Sequence, residues 1–578
     1  MKERTIDSSR KPLETTRLPK LCGADIELGN FVLGLERLTG TGPEAARALL
    51  REIEAPYAHR RVSGGSGYAY DPQDWGRKHL SSNGGCFYID LDHLECCLPE
   101  VLSAWDHVAA WHAMLRIARR ALTAANAKLP AGQTIHVLVN NSDGQGNAYG
   151  SHLNFLVTRR AWNNIFERKL HHLLWLAAFQ ASSIVYTGQG KVGAEHGTPA
   201  VLFQLSQRAD FFEALTGVQT TYRRPLVNSR DEALCGEWPG GSGTVEAEPP
   251  SDLARLHCIF FDNTLCHGSS LLKVGTMQMM LALLEAERVE PELILDDPVA
   301  AVVQWSHDPS LTARARMASG KALTAVELQL RFLEEAQRFA ASGGFDAVVP
   351  RAGEILALWE DTLRKLQAYD LPALAARLDW VLKHQILERA LQHRPELTWA
   401  APEIKHLDHL YASLDPVHGL YWAYEQLGAV EQLVTESQIE RFVHEPPEDT
   451  RAWTRATLLR IAGAGVEDVD WDRVRFRRPG RGYWPVIRTL KLDDPLGFTR
   501  AAVEGVIARA TTLDDILDAL HATTGLEAAP SGSYRTPATL TGSAVRAPEA
   551  WHPDDEPTVY VRRRRGDGNG GIRDPWDD

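Results

Sequence analysis

The sequence is poor in cysteine, has no long apolar run and carries no excess of positive charge, and each shortage excludes something. Seven cysteines (Cys22, Cys86, Cys96, Cys97, Cys235, Cys258 and Cys266) form an odd set with one adjacent pair and no C-x2-C spacing. That excludes a disulfide framework and a zinc ribbon, and the thiols read as reduced and cytosolic. No stretch of about 18 uncharged apolar residues occurs, and the opening MKERTIDSSRKPLETTRLPK lacks the apolar core of a secretory signal. The expected location is the cytoplasm, with no membrane contact. Lys and Arg number 62 against 75 Asp and Glu, a net charge of −13, so the molecule as a whole has no field that gathers nucleic acid.

With 578 residues, 44% of them apolar and 24% charged, the bulk of the chain folds and buries a large core unaided. Residues 1–18 are polar without an apolar period, and residues 526–578 run through PSGS, DDEP, Arg562 to Arg565 and GDGNGG; both ends are predicted to be disordered. Between them, residues 19–440 form a large domain that mixes short β-like runs with helices and turns strongly helical from about residue 320. EPPEDT near residue 447 and FRRPGRGYWP near 476 mark a small C-terminal domain over 441–525. The fold class is α+β. Segments 58–82 and 236–252 read as mobile loops.

Several runs could carry chemistry. In LCGADIELG, strand alternation puts Asp25 and Glu27 on one face; in NGGCFYIDLDHLE, Cys86, Tyr88 and Asp90 share a face and Glu95 follows a short turn. Carboxylates from two strands on one sheet face are what Mg2+ needs to hold nucleotide phosphates, although a merely wet strand face reads the same way. Asp92 shares the face of Asp90 only if the strand continues past Leu91. IHVLV and HLNFLV bracket NNSDGQGNAYG, whose backbone N–H groups suit an anion, or which is a long hairpin loop. His152 and Asn154 share a face, and a histidine there is more often a structural hydrogen-bonder than a ligand. Gly188, Gly190 and Gly193 have G-x-G-x-x-G spacing, but no helix opens at Gly193, so the turn is expected to be a flexible connection or a substrate loop rather than a dinucleotide site. Arg208, Arg223, Arg224 and Arg230 suit phosphate, or pair with Asp210, Asp231 and Glu232.

Taken in order, LCGADIELG, NGGCFYIDLDHLECCLPE, NNSDGQGNAYGSHLNFL, TGQGKVG, FQLSQRADFFE, RRPLVNSRDE and RLHCIFFDNTLCHGSSLLKVGT resemble the Pup ligase/Pup deamidase (depupylase) family over about residues 20–500. The resemblance implies a glutamine-synthetase-like fold, a concave, mainly antiparallel sheet backed by helices, that holds ATP and Mg2+ and is completed by the small C-terminal domain. It implies Asp90 as the catalytic aspartate. Asp25, Glu27, Tyr88, Glu95 and His152 fall at the metal site, and Arg208, Arg230 and Trp471 at the nucleotide. It also implies as partners a Pup-like protein modifier and its lysine conjugates, and through them a proteasome pathway.

Four residues separate Asp90 from Glu95, which resembles the deamidase branch. The activity this implies is an ATP/Mg2+-dependent deamidase or depupylase acting on the modifier's C-terminal side-chain amide or isopeptide. Its alternatives are a ligase working through an acyl phosphate and a non-catalytic paralogue. The chain departs from the family pattern at Cys86, where a nucleotide-contacting arginine is usual, at Leu98 and Leu153, and at Asp25, where a glutamate is usual. Loss of one guanidinium–phosphate contact costs on the order of 1.5–3 kcal/mol.

Overall fold

The computed structural model describes residues 18–35, 40–55, 57–58, 75–232, 234, 252–478 and 486–524. The expectations for residues 1–17, for the loops at 59–74 and 236–251 and for the tail lie outside them.

An eight-stranded sheet organises the large domain: β1 (Cys22–Leu33), β2 (Tyr57–Ala58), β3 (Trp75–His79), β4 (Cys86–Asp90), β5 (His93–Cys97), β6 (Thr134–Leu138), β7 (Ser151–Thr158) and β8 (Leu253–Cys258). The order is β8-β7-β1-β5-β4-β3-β2, with β6 also on β1, and every pairing is antiparallel. β3 falls where the sequence predicts the end of a loop. β6 and β7 do not pair with each other as a hairpin; each pairs with β1, β7 along Cys22–Ile26 and β6 along Gly29–Leu33.

The period-two pattern explains which face is packed. Ala24, Ile26, Phe87, Ile89, Leu94, Cys96, Leu153 and Phe155 are all at most 4% exposed and join the main core. Helices supply the other half of that core. Ala104–Asn126 starts at Ser103, whose hydroxyl accepts the Asp106 N–H, and the indole of its Trp111 donates to the Thr264 carbonyl at 2.7 Å. Leu170–Thr187 and the wholly buried His267–Glu285 complete the layer, so even their polar side chains must find partners inside. Beyond residue 320 the predicted helices follow, opening with Ala325–Ala341 and its Thr324/Glu327 capping box.

Helix Arg451–Ala462 leads into a small module with its own core, built on Leu458, Phe476, Leu490 and Leu517. Its sheet is β9 (Val466–Asp470), β10 (Arg473–Arg478) and β11 (Val486–Lys491). The module is docked by charge: Arg451 and Arg455, one helical turn apart, both bond the buried Glu100 carboxylate, at 2.8 and 2.6 Å. Among the described residues no helix is long and apolar enough to cross a membrane.

Candidate functional site

The face of the sheet opposite the core collects the predicted carboxylates. Across it Glu27 stands opposite Glu95, which stands opposite Tyr88, while Asp25 is flanked by Cys97 and His152. Ligand atoms of Glu27, Asp90 and Glu95 lie within 4.8 Å of one another, and so do those of Asp25, Glu95 and Cys97. Glu95 belongs to both groups and is 2% exposed. Burial, then Glu27, Asp90 and Asp25, push its carboxyl well above the usual carboxylate range, opposed by a hydrogen bond from Tyr88. Its Oε2 is buried with no hydrogen-bond partner. A cluster of oxygen donors that repel one another and leave a buried lone pair unused fits a hard divalent cation.

His152 fits the same site. Burial first, then Arg208, Arg224, Arg230 and Arg255, push its imidazole well below its ordinary value, so it stays neutral, the metal-ligating form. Gly150 makes room for this: a Cβ there would fall 2.5 Å from Glu27 Oε1 and 2.6 Å from His152 Nε2. Strand alternation is the sequence signal that sets Asp25 with Glu27 and Tyr88 with Asp90, and the antiparallel pairing then brings Glu95 and His152 beside them.

Two clefts meet at this cluster. The first, of about 360 Å3, is lined by Asp25, Tyr88, Asp90, Glu95 and His152 on one side, Arg230 and Arg255 on another, and Trp471 of the small module on a third. Trp471 sits in the turn between β9 and β10, its ring 5.7 Å from that of His79 and 4.7 Å from the Arg455 guanidinium, so the Glu100 contact also fixes this wall. The second cleft, about 710 Å3, lies across Glu27, Asp90 and His152, and Asp90 and His152 line both. Asp90 thus stands in the partition. Asp92 does not: β4 ends at Asp90, Leu91 turns with φ 49°, and the exposed Asp92 lines the second cleft alone.

Arg230 lines the first cleft, half exposed and 3.8 Å from Glu232. Arg208 is fully buried, lines neither cleft, and donates to the Tyr149 carbonyl at 2.8 Å. Burial and Arg224 lower its guanidinium to about 9. Ion pairing with Asp210 is not its role, since Asp210 pairs with Lys191 and His307, while Asp231 pairs with Arg159.

The sequence reading missed Arg77, whose guanidinium lies 4.5 Å over the Tyr88 ring, and the pair Arg255 and His257, both bonded to Asn154 Oδ1 at 2.8 Å. The period-two run RLHC carried the signal for the latter pair, which alternates with the buried Leu256 and Cys258. Cys86 sits opposite Cys97, with Arg77 on the adjoining strand. Leu98 and Leu153 belong to the hydrophobic core, so the leucine at 153 packs where an acid would be buried among apolar side chains.

Two expectations are corrected. TGQGKVG is no flexible connection: Gly188–Val192 is buried, Gly188 N–H reaches the Ile184 carbonyl, and Lys191 is 2% exposed. Nor do the N–H groups of NNSDGQGNAYG await an anion, because Gly144, Gln145, Gly146 and Asn147 all donate to Ser142, Asp143 or Glu195.

Comparison with known proteins follows the same lines. The Pup-ligase protein family matches residues 42–475. The chain is 35% identical to the depupylase of Acidothermus cellulolyticus, over 76% of this chain and 83% of that protein. It is 32% identical to the Pup deamidase/depupylase of Mycolicibacterium smegmatis, over 81% and 90%. A Pup–protein ligase of Acidimicrobium ferrooxidans is also 32% identical, over 78% and 91%. The crystal structure of the complex between Pup and its ligase PafA superposes with a TM-score of 0.68 at 23% identity, covering 88% of this chain and 95% of the other, which extends the likeness to the fold. The antiparallel sheet, its acid-lined face and the match over most of the chain together make this protein a member of the Pup-ligase protein family.

Proposed function

We propose that this chain is an ATP- and Mg2+-dependent amidohydrolase that frees a Pup-like modifier from protein lysines or deamidates the modifier's C-terminal glutamine. One observation carries the reading: Asp90 stands in the partition between two clefts, so a nucleotide on one side and an amide on the other meet at one carboxylate. The depupylase and Pup deamidase/depupylase relatives support the hydrolytic direction.

In this reading Asp25, Glu27, Tyr88, Glu95 and His152 hold Mg2+, Trp471 packs against the nucleotide, and Arg230 and Arg255 face its phosphates. When bound, the cation would supply the positive charge and Lewis acidity that the acid cluster lacks. Arg208 stays beneath the site and holds the backbone at Tyr149. Asp90 either attacks the amide carbon, forming an acyl–aspartate that water then cleaves, or takes a proton from a water that attacks directly. In both cases the C–N bond breaks, the amine leaves with a proton that comes from water, and the modifier is left with a free carboxylate. The proposed action is in the cytoplasm, on conjugates bound for a proteasome pathway.

A ligase is the second reading, favoured by the 32% identity to a Pup–protein ligase. The test is calorimetric titration of Mg-ATP into wild type and Asp90→Asn, then mass spectrometry of a Gln-ended modifier peptide incubated with each. Binding by both and amide-to-acid conversion by wild type alone is the expected result. ATP consumption matched to conjugate formation makes the protein a ligase, and no binding by either folded protein makes it a non-catalytic paralogue.

A further inference from the structure

We propose that Glu195 is the positioning residue for the outer wall of the second cleft, and through it for the protein substrate; this rests on the function proposed above. The wall is the segment Ser142–Ala148, several of whose residues line the cleft that Asp90 shares. Its backbone bends through Gly144 at φ 72° and Gly146 at φ 98°. Inside it, the Asp143 carboxylate accepts the N–H groups of Gln145 and Asn147 at 2.7 and 3.1 Å. Those bonds shape the turn but do not determine where the turn stands.

Two other holds do that. At its C-terminal end Arg224 donates to the Ala148 carbonyl and Arg208 to that of Tyr149. At its other end and tip Glu195 acts beside Asn140: Asn140 Nδ2 donates to the Ser142 carbonyl at 2.8 Å, while Glu195 Oε1 accepts the Gly146 N–H at 3.1 Å and Oε2 accepts the Ser142 hydroxyl. Glu195 is anchored in turn. Lys191 Nζ donates to its Oε2 at 2.8 Å and to the Gln207 carbonyl at 3.1 Å, while the Glu195 N–H donates to Asp210 at 2.9 Å. Asp210 is 1% exposed and also receives Gln204 at 2.8 Å and His307 at 2.7 Å. A chain of charged hydrogen bonds thus runs from the buried segment 203–210 to the tip of a cleft wall, joining the two glycine-rich motifs through one carboxylate.

This arrangement separates two functions. The nucleotide cleft is walled by the sheet and by Trp471 and takes no residue from 142–148 or from Glu195. Loosening the tip should therefore weaken the protein substrate and leave ATP alone. Glu195→Gln keeps the volume and one acceptor oxygen but removes the charge that Lys191 and the loop share; Glu195→Asp keeps the charge on a shorter arm.

The experiment measures, for wild type and both variants, the Kd of a fluorescently labelled Pup-like polypeptide, KM and kcat for its lysine conjugate, the Kd of Mg-ATP, and amide exchange of residues 143–148. For Glu195→Gln the expected result is modifier Kd and conjugate KM raised about fivefold or more, kcat within about twofold, ATP affinity unchanged and faster exchange at the tip. Glu195→Asp should fall between. Unchanged modifier affinity in Glu195→Gln with faster exchange overturns the proposal, and so does a parallel loss of ATP affinity. A wild type that binds ATP but no modifier sinks the proposed function and this inference together, whereas failure of the inference alone leaves wild-type activity intact.

Discussion

Glu95 and Glu100 lie five residues apart, one on β5 and one just beyond it, and are 2% and 6% exposed, yet their carboxyl groups are driven in opposite directions. Burial disfavours the charge of both. Around Glu95 the neighbours are Glu27, Asp90 and Asp25, which add to that cost; around Glu100 they are Arg455 and Arg451, which overcome it and hold the carboxyl down to about 2. One acid is completed by the protein itself, while the other is surrounded by like charge that the proposed cation would offset. Buried charge of the first kind holds the small module in place, and buried charge of the second kind is where chemistry is expected.

The sharpest way to break the comparison is to remove the completed charge. Glu100→Gln leaves two buried guanidinium groups without their shared carboxylate, and breaking a buried pair by deleting one partner costs about 3–5 kcal/mol. Denaturant unfolding should show that loss. Because Arg455 also carries Trp471, Mg-ATP affinity should fall with it.

Acid should do nearly the same without mutation. The Glu100 carboxyl is lowered in the fold to about 2, against an ordinary glutamate near 4.3. Its contribution is therefore present above pH 4.3 and lost as pH falls toward 2, and it amounts to roughly 3 kcal/mol. Stability measured from pH 6 to pH 2 should lose this amount in wild type and less in Glu100→Gln.

At Glu95 the sign reverses. A carboxyl raised in the fold is easier to ionise in the unfolded chain, so in the absence of cation its charge destabilises the native state. Glu95→Gln should raise cation-free stability by about 0.5–2 kcal/mol, as substitutions at strained functional sites commonly do. It should also abolish the increase in Tm that Mg-ATP gives wild type. Destabilisation of the cation-free protein would show that the cluster is structural.

The two acids also differ in how legible they are. Strand alternation alone puts Asp25 with Glu27 and Tyr88 with Asp90, because the side-chain period of a strand is local information, whereas the family resemblance adds Glu95 to them. The partners of Glu100 lie some 350 residues away, and Arg451 and Arg455 carry nothing in sequence beyond an i, i+4 spacing on a helix. The helical second half and the α+β class were legible for the same local reason. The loop expected through residue 82 hid β3, whose run WGRKH is too short and too polar to declare itself beside stronger strands. TGQGKVG was misread because glycine signals freedom, whereas Gly190 is needed for close packing: a Cβ there would meet Phe203 at 2.6 Å and Trp380 at 3.1 Å.

A third carboxylate tests whether proximity or burial makes the difference. Asp92 is on the same hairpin as Asp90, two residues on, and lines the same second cleft, but it is exposed. What the structure uses at that position is backbone: the Asp92 carbonyl accepts Asn30 Nδ2 at 2.9 Å, a bond any residue can make. Water screens its side-chain charge, and exposed charges of this kind change stability by no more than about 0.5 kcal/mol. Asp92→Asn should therefore keep wild-type unfolding and ATP affinity, with turnover within about twofold, while Asp90→Asn abolishes turnover. If Asp92→Asn were instead as inactive as Asp90→Asn, the hairpin turn rather than the partition would hold the reacting carboxylate, and the contrast between buried acids would not locate the chemistry.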